Sequence, residues 1–176
     1  MTQIIAITVR KPNLEDKAID GIPRDFLKVM HMFNRKLKDG TLKHIPRTTK
    51  ITRDEIRKLW LPSVKQNITY LGEEAGEILS SGTLLIVPGS NQYSLDSGRT
   101  TEYALISEQR EAGLEVTRAV LQEAKAIGQK FVLHTSVDNE EEQWIMSQLG
   151  FQPTRRIEVY ERFLPTGNSA VFEYTI

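Results

Sequence analysis

The stretch between residues 100 and 133 constrains this chain most. Residues 100–107 read as a strand, Leu114, Leu121, Ala124 and Ile127 form a helical stripe ending at Gly128, and Phe131, Val132 and Leu133 make a short apolar strand. A strand, a helix and a second strand in succession place the two strands parallel, because the helix carries the chain back to its starting end. A sheet with a central parallel pair is therefore predicted.

The remaining punctuation builds antiparallel neighbours around that pair. Residues 4–9 form a β-branched apolar strand closed by Pro12. Phe26, Met30, Phe33 and Leu37 recur at four, three and four, which predicts a helix over 23–37 that Gly40 ends. Thr52 and Glu55 form a capping box before Ile56, Leu59 and Trp60, and Pro62 is expected to stop this short basic helix. Residues 67–71 and 78–87 read as strands across a turn at 72–76, and a turn-rich stretch at 88–98 leads into the strand at 100–107. Asn139 with Glu142 caps a further helix, with three glutamates in its first turn and Gly150 at its end. Strands at 156–163 and 170–176, paired across 165–168, complete the order β-α-α-β-β-β-α-β-α-β-β.

One mixed α/β domain spanning 1–176 follows, since 176 residues with 39% hydrophobic content suffice for a single core. Absence of cysteine excludes disulfides, thiolate metal sites and thiol nucleophiles, and suits a reducing interior. The longest apolar run, Leu84 to Val87, is far below the ~18 residues of a membrane helix, and no export signal opens the chain, so a cytoplasmic protein is expected. The net charge of zero hides an asymmetry: residues 24–66 carry 12 Lys/Arg against 4 Asp/Glu, and residues 67–150 carry 5 against 13. The basic segment can face an acidic substrate, a nucleic acid or cofactor phosphates, or be a solvated helix face.

Two stretches, set in this order of elements, carry more specific information. Arg110-Glu111-Ala112-Gly113-Leu114-Glu115 lies between the strand at 100–107 and the following helix. Asn139 precedes Gly150 and Phe151 by eleven and twelve residues, with Ile145 and Leu149 on the apolar positions between. In both, the chain resembles the GNAT family of acyl-CoA-dependent N-acyltransferases, and the resemblance covers nearly its whole length. The family's cofactor loop reads Gln or Arg, two residues, Gly, one residue, Gly or Ala; the chain matches at Arg110 and Gly113 and departs at Glu115. The resemblance implies acetyl-CoA as acyl donor. Its pyrophosphate would meet the N–H groups of Glu111, Ala112, Gly113, Leu114, Glu115 and Val116 at the positive end of the helix, with Arg110 adding charge. Leu105, Ile106 and Ser107 would offer a strand edge to the pantetheine arm, and Asn139 holds the family's asparagine position. Gly113 is expected to let the backbone approach the ligand closely. Glu115, with Glu108 and Glu111, sets carboxylates near the polyanion.

Acyl transfer to an amine needs a base for the ammonium proton and often an acid for the departing thiolate. Glu102, on the strand before the loop, and His134, directly after the strand at 131–133, are the candidate bases. Met146 stands where the family has its usual acid, a tyrosine, and a thioether cannot donate a proton; Tyr103 and Tyr160 are the substitutes. No spacing around His31 or His44 suggests a metal site. The expected activity is acetyl transfer to an amine acceptor, which the basic segment with Lys28, Arg35 and Arg57 would suit if the acceptor is acidic. A catalytically decayed domain that binds acyl-CoA or a protein partner is the alternative. A nucleic-acid surface on 24–66 ranks behind both, and the lack of G-x-G-x-x-G disfavours a dinucleotide oxidoreductase. Exposed strand edges near the C-terminus allow a homodimer.

Overall fold

The computed structural model describes residues 6–40, 51–86, 101–129, 131–137, 140–161 and 164–175. Among them run strands β1 (Thr8–Arg10), β2 (Ile68–Glu74), β3 (Glu77–Leu85), β4 (Thr101–Ser107), β5 (Phe131–Val137), β6 (Gln152–Glu161) and β7 (Leu164–Thr175). They form one sheet in the order β1-β2-β3-β4-β5-β7-β6, antiparallel throughout except where β4 meets β5. The helices are α1 (Arg24–Asp39), α2 (Arg53–Glu55), α3 (Leu61–Gln66), α4 (Arg110–Ala126) and α5 (Glu140–Gln148).

Two successive residues of β2 show how the layers are arranged. Side chains alternate along a strand, so Leu71 and Gly72 face opposite sides of the sheet. Leu71 packs with Val29 and Met32 of α1. Gly72 lies under α4, where an added β-carbon would stand 3.0 Å from Val116 and 3.3 Å from Ala112. Helix α1 therefore covers one face and α4 the other. Helix α5 joins the α4 side, where Ile145 and Met146 pack with Val116, Val120, Val132 and Phe151. On the α1 side, Phe26 and Met30 close over Ile22 and Ile56, and Leu37 is buried one turn before Gly40 ends the helix at φ 81°.

Several boundaries differ from the sequence expectation. The helix opened by the Thr52–Glu55 capping box does not stop at Pro62. A π-helical turn over Ile56–Trp60 precedes the proline, with the Leu61 N–H bonded to the Ile56 carbonyl, and α3 then runs to Gln66. The proline thus begins a new α-helical stretch, where its missing N–H costs nothing. Gly72 belongs to β2 rather than to a turn; the hairpin turns at Ala75 and Gly76, whose φ values of 49° and 81° suit a two-residue type I′ connection. Strand β5 continues to Val137, so His134 lies within it and does not follow it. Residues 165–168 are not a turn. They lie in β7 and pair with β6, Asn168 opposite Glu158 and Pro165 opposite Tyr160, where a register shift accommodates the proline. The turn-rich stretch 88–98, His44 and Asn139 lie outside the described residues.

Candidate active site

Among the described residues, strands β4 and β5 pair at Thr101 with Val132, Glu102 with Leu133 and Tyr103 with His134. Beyond that point β4 stays with β3, from Ala104 opposite Thr83 to Ser107 opposite Ser80. Strand β5 stays with β7, from Thr135 opposite Val171 to Val137 opposite Ser169. The parallel pair therefore forks. The β4 arm of the fork is Ala104 to Ser107, which includes the expected pantetheine edge, and its mouth lies where α4 and α5 begin.

Ser107 makes the turn from β4 into α4. Its Oγ donates to the Gln109 carbonyl at 2.6 Å and accepts the Gln109 N–H at 3.3 Å, while the Glu108 N–H bonds the Leu79 carbonyl at 2.8 Å. Gln109 caps the helix in an extended conformation, and the first donor of the helical ladder is Gly113, whose N–H reaches the Gln109 carbonyl at 3.0 Å. The N–H groups of Arg110, Glu111 and Ala112 precede that ladder and form the positive end of the helix. Of the expected span 111–116, only Glu111 and Ala112 have N–H groups outside the ladder. Gly113, Leu114, Glu115 and Val116 are already inside the ladder, and the Val116 side chain is in the core.

Gly113 is tightly packed. A β-carbon there would stand 2.6 Å from Ile145 Cδ1 and 2.8 Å from Ser107 Oγ. The residue is buried, and its smallness lets α4 seat against the end of β4 and against α5. Beside it, Gln109 Oε1 is buried with no hydrogen-bond partner among the described residues. That orphaned acceptor fits an arm carrying amide N–H groups, as the free N–H groups of α4 fit a phosphate.

The charges at the mouth are mostly paired. Arg110 bonds both oxygens of Glu141 at 2.8 and 3.1 Å, and its guanidinium lies 4.2 Å from the Trp144 ring centroid. The bond from Arg110 holds the Glu141 carboxyl below its usual range, partial burial opposes this, and Lys36 adds to the lowering. Arg35 grips Glu108 at 2.5 and 3.1 Å. Lys36, in the last turn of α1 and only 6% exposed, donates to the Ser107 carbonyl at 2.5 Å, so this carbonyl on the expected pantetheine edge already has a partner. Glu115 is half exposed, on the side of α4 away from the core, with Arg118 4.0 Å away. Arg35 was expected to meet an acidic acceptor and not Glu108, and Lys36 was not singled out by the sequence; its only signal was a cation near the end of a helix.

The charges expected to greet an acceptor are also engaged. Lys28 donates to the Gly76 carbonyl at 2.8 Å, and Arg57 reaches the Asp20 carbonyl at 3.3 Å and its carboxylate at 3.4 Å.

Glu102 and His134 occupy the last two register steps before the fork, at positions of opposite parity. Tyr103 is buried, its hydroxyl 2.7 Å from Thr117 Oγ1, and burial pushes its phenol far above the ordinary value. This removes it as the general acid. Met146 is wholly buried in the core, so its position offers no side chain to the fork. Tyr160 lies on β6, separated from β4 by β5 and β7. His31 is exposed on α1, and no group of three metal-ligating side chains occurs among the described residues. Nor is any helix among them long and apolar enough to cross a membrane.

The fold of the described residues matches that of solved GNAT-family acetyltransferases. Among solved structures, an N-acetyltransferase from Staphylococcus aureus is 16% identical with a TM-score of 0.70, over 97% of this chain and 98% of its own. The ribosomal-protein-alanine N-acetyltransferase of Brucella melitensis is 11% identical with a TM-score of 0.70, over 96% and 99%. A phosphinothricin acetyltransferase from Sinorhizobium meliloti, solved with acetyl-CoA, is 9% identical with a TM-score of 0.71, over 97% and 88%. No family model matches the chain, and no curated protein matches its sequence.

Proposed function

We propose that the protein is an acetyl-CoA-dependent N-acetyltransferase acting on an amine, in the cytoplasm. The observation that carries this reading is the fork between β4 and β5 beside the free N–H groups of Arg110, Glu111 and Ala112. The donor's pyrophosphate fits that helix start, and its pantetheine arm fits the Ala104 to Ser107 edge, with Gln109 Oε1 as an acceptor for an amide N–H. Acetyl-CoA supplies a thioester carbonyl, and the protein supplies its placement and a base.

Glu102 is the preferred base. It shares strand parity with Ile106, which packs into the α1-side core, the face whose helices border the acceptor in the resembled family. His134 shares parity with Val132, which belongs to the α4-side core. Glu102 removes a proton from the ammonium, the free amine forms the new C–N bond at the thioester carbon, and the C–S bond breaks to release CoA thiolate, which takes up the second proton shed by the new amide nitrogen while Glu102 returns its proton to water. The acceptor need not be acidic, because Lys28, Arg35 and Arg57 are held by groups of the protein itself. A second copy pairing along the β6 edge belongs to the same proposal.

The test is calorimetric titration with acetyl-CoA and CoA, followed by CoA-thiol release over an amine panel. Micromolar binding, turnover, and a loss of about 10²-fold or more in kcat for Glu102→Gln are expected. Absence of binding by the folded protein refutes the reading. Binding without turnover on any amine supports a second one, a non-catalytic acyl-CoA-binding domain. The burial of Met146 and the engagement of Tyr103 favour that alternative, since neither offers an acid to the fork.

A further inference from the structure

The Arg110–Glu141 ion pair joins the two arms of the fork. Arg110 opens α4 on the β4 side, and Glu141 lies in the first turn of α5 on the β5 side. No pairing between β4 and β5 continues past Tyr103 and His134, so the Arg110–Glu141 contact closes the wedge at its open end. Trp144, one turn further along α5, floors the guanidinium. By contrast, Arg118 lies on the same helix as Glu115 and so leaves the fork unbridged.

The side chains of the pair are 43% and 54% exposed. A pair so open to water is weak and exchanges readily. A diphosphate offers the guanidinium the same forked geometry with more charge, and so competes well for it.

We propose that Arg110–Glu141 is a latch across the wedge, opened when a diphosphate takes Arg110 from Glu141. Glu141 thereby tunes donor affinity: it competes with the diphosphate for Arg110, an exchange that acyl-pantetheine, with the same arm and no diphosphate, does not make. The inference rests on the acyl-CoA reading above.

The experiment is a double-mutant cycle. CoA and pantetheine are titrated calorimetrically into the wild type, Glu141→Gln, Arg110→Gln and the double variant, and the indole N–H resonance of Trp144, assigned with Trp144→Phe, is followed by NMR. Glu141→Gln is expected to bind CoA about three- to fivefold more tightly, the scale of an exposed pair. That gain falls below twofold when Arg110 is also replaced, and the Trp144 resonance moves when CoA binds the wild type. If the wild type binds CoA but Glu141→Gln binds equally or more weakly, or the Trp144 signal stays in place, the latch is wrong and the acyl-CoA reading stands. If no folded variant binds CoA, both fall.

Discussion

Gly113→Ala isolates the packing on which the mouth of the fork depends. In an open helix the change stabilises by about 1 kcal/mol, because glycine is the poorer helix former. Here the new β-carbon meets Ile145 Cδ1 at 2.6 Å, Ser107 Oγ at 2.8 Å and Ser107 Cβ at 3.1 Å. Ile145 is fully buried, so its methyl has little room to retreat, and Ser107 Cβ is one bond from the β4 backbone. Overpacking of this kind costs about 1–3 kcal/mol, so a net loss of about 1–2 kcal/mol is expected once the propensity gain is subtracted from the upper range. In urea unfolding this reads as a midpoint lowered by about 0.5–1 M with an unchanged slope. The shift of Ser107 also loosens its bonds to Gln109, so CoA affinity falls with stability. Adding Ser107→Ala removes the Oγ contact and restores part of the midpoint. A Gly113→Ala protein as stable as the wild type, or more so, would refute the packing argument.

Gly82→Ala places a methyl against the Tyr103 hydroxyl and 2.7 Å from Val116 Cγ1, and is expected to cost about 2–3 kcal/mol in thermal or urea unfolding; a neutral result refutes the contact. Burial pulls the Asp25 carboxyl up, but bonds from Arg10 and the Asn13 N–H outweigh this and leave it below 3.8. Its contribution to stability is therefore present above pH 3.8 and lost as pH falls through the lower folded value, so the gap between wild type and Asp25→Asn should narrow in acid. A gap that stays constant from neutral pH into strong acid contradicts this. Burial, reinforced by the bond to Glu123, raises the Tyr70 phenol to about 12. Ultraviolet titration should show Tyr70 and the buried Tyr103 ionising late, and Glu123→Gln should bring the Tyr70 step back toward 10, the ordinary value; no movement would mean that Glu123 does not act on it.

Much of the fold was legible because it depends on periodicity and punctuation. The helix stripe of Phe26, Met30 and Leu37 is buried as its spacing requires, and Gly40 takes the left-handed conformation that ends α1. Boundaries set by tertiary contacts were not legible. Gly72 reads as a turn residue locally, yet it is a strand residue because α4 leaves no space above it. Pro62 reads as a helix stop, yet a π-turn ahead of it lets the chain continue. At the site, sequence located the start of α4 but could not tell which partners its charges choose. Arg110 finds Glu141, thirty-one residues away, and Lys36 reaches Ser107 across seventy-one. Only the folded chain brings such pairs together, and no local spacing announces them.

The fork also divides the sheet mechanically. Strands β1 to β4 form one antiparallel block and β5, β7 and β6 another, and among the described residues three register pairs stitch the blocks together. Apart from the three-position edge pairing of β1 with β2, the ladders within each block are longer, nine paired positions between β6 and β7 alone. Force applied across the sheet should part it along the β4–β5 line before either block unravels, and native-state hydrogen exchange should report two cooperative units that meet there. The line along which the molecule is easiest to tear is the line along which it is proposed to hold its donor, so a bound arm would act as a splint between the two blocks.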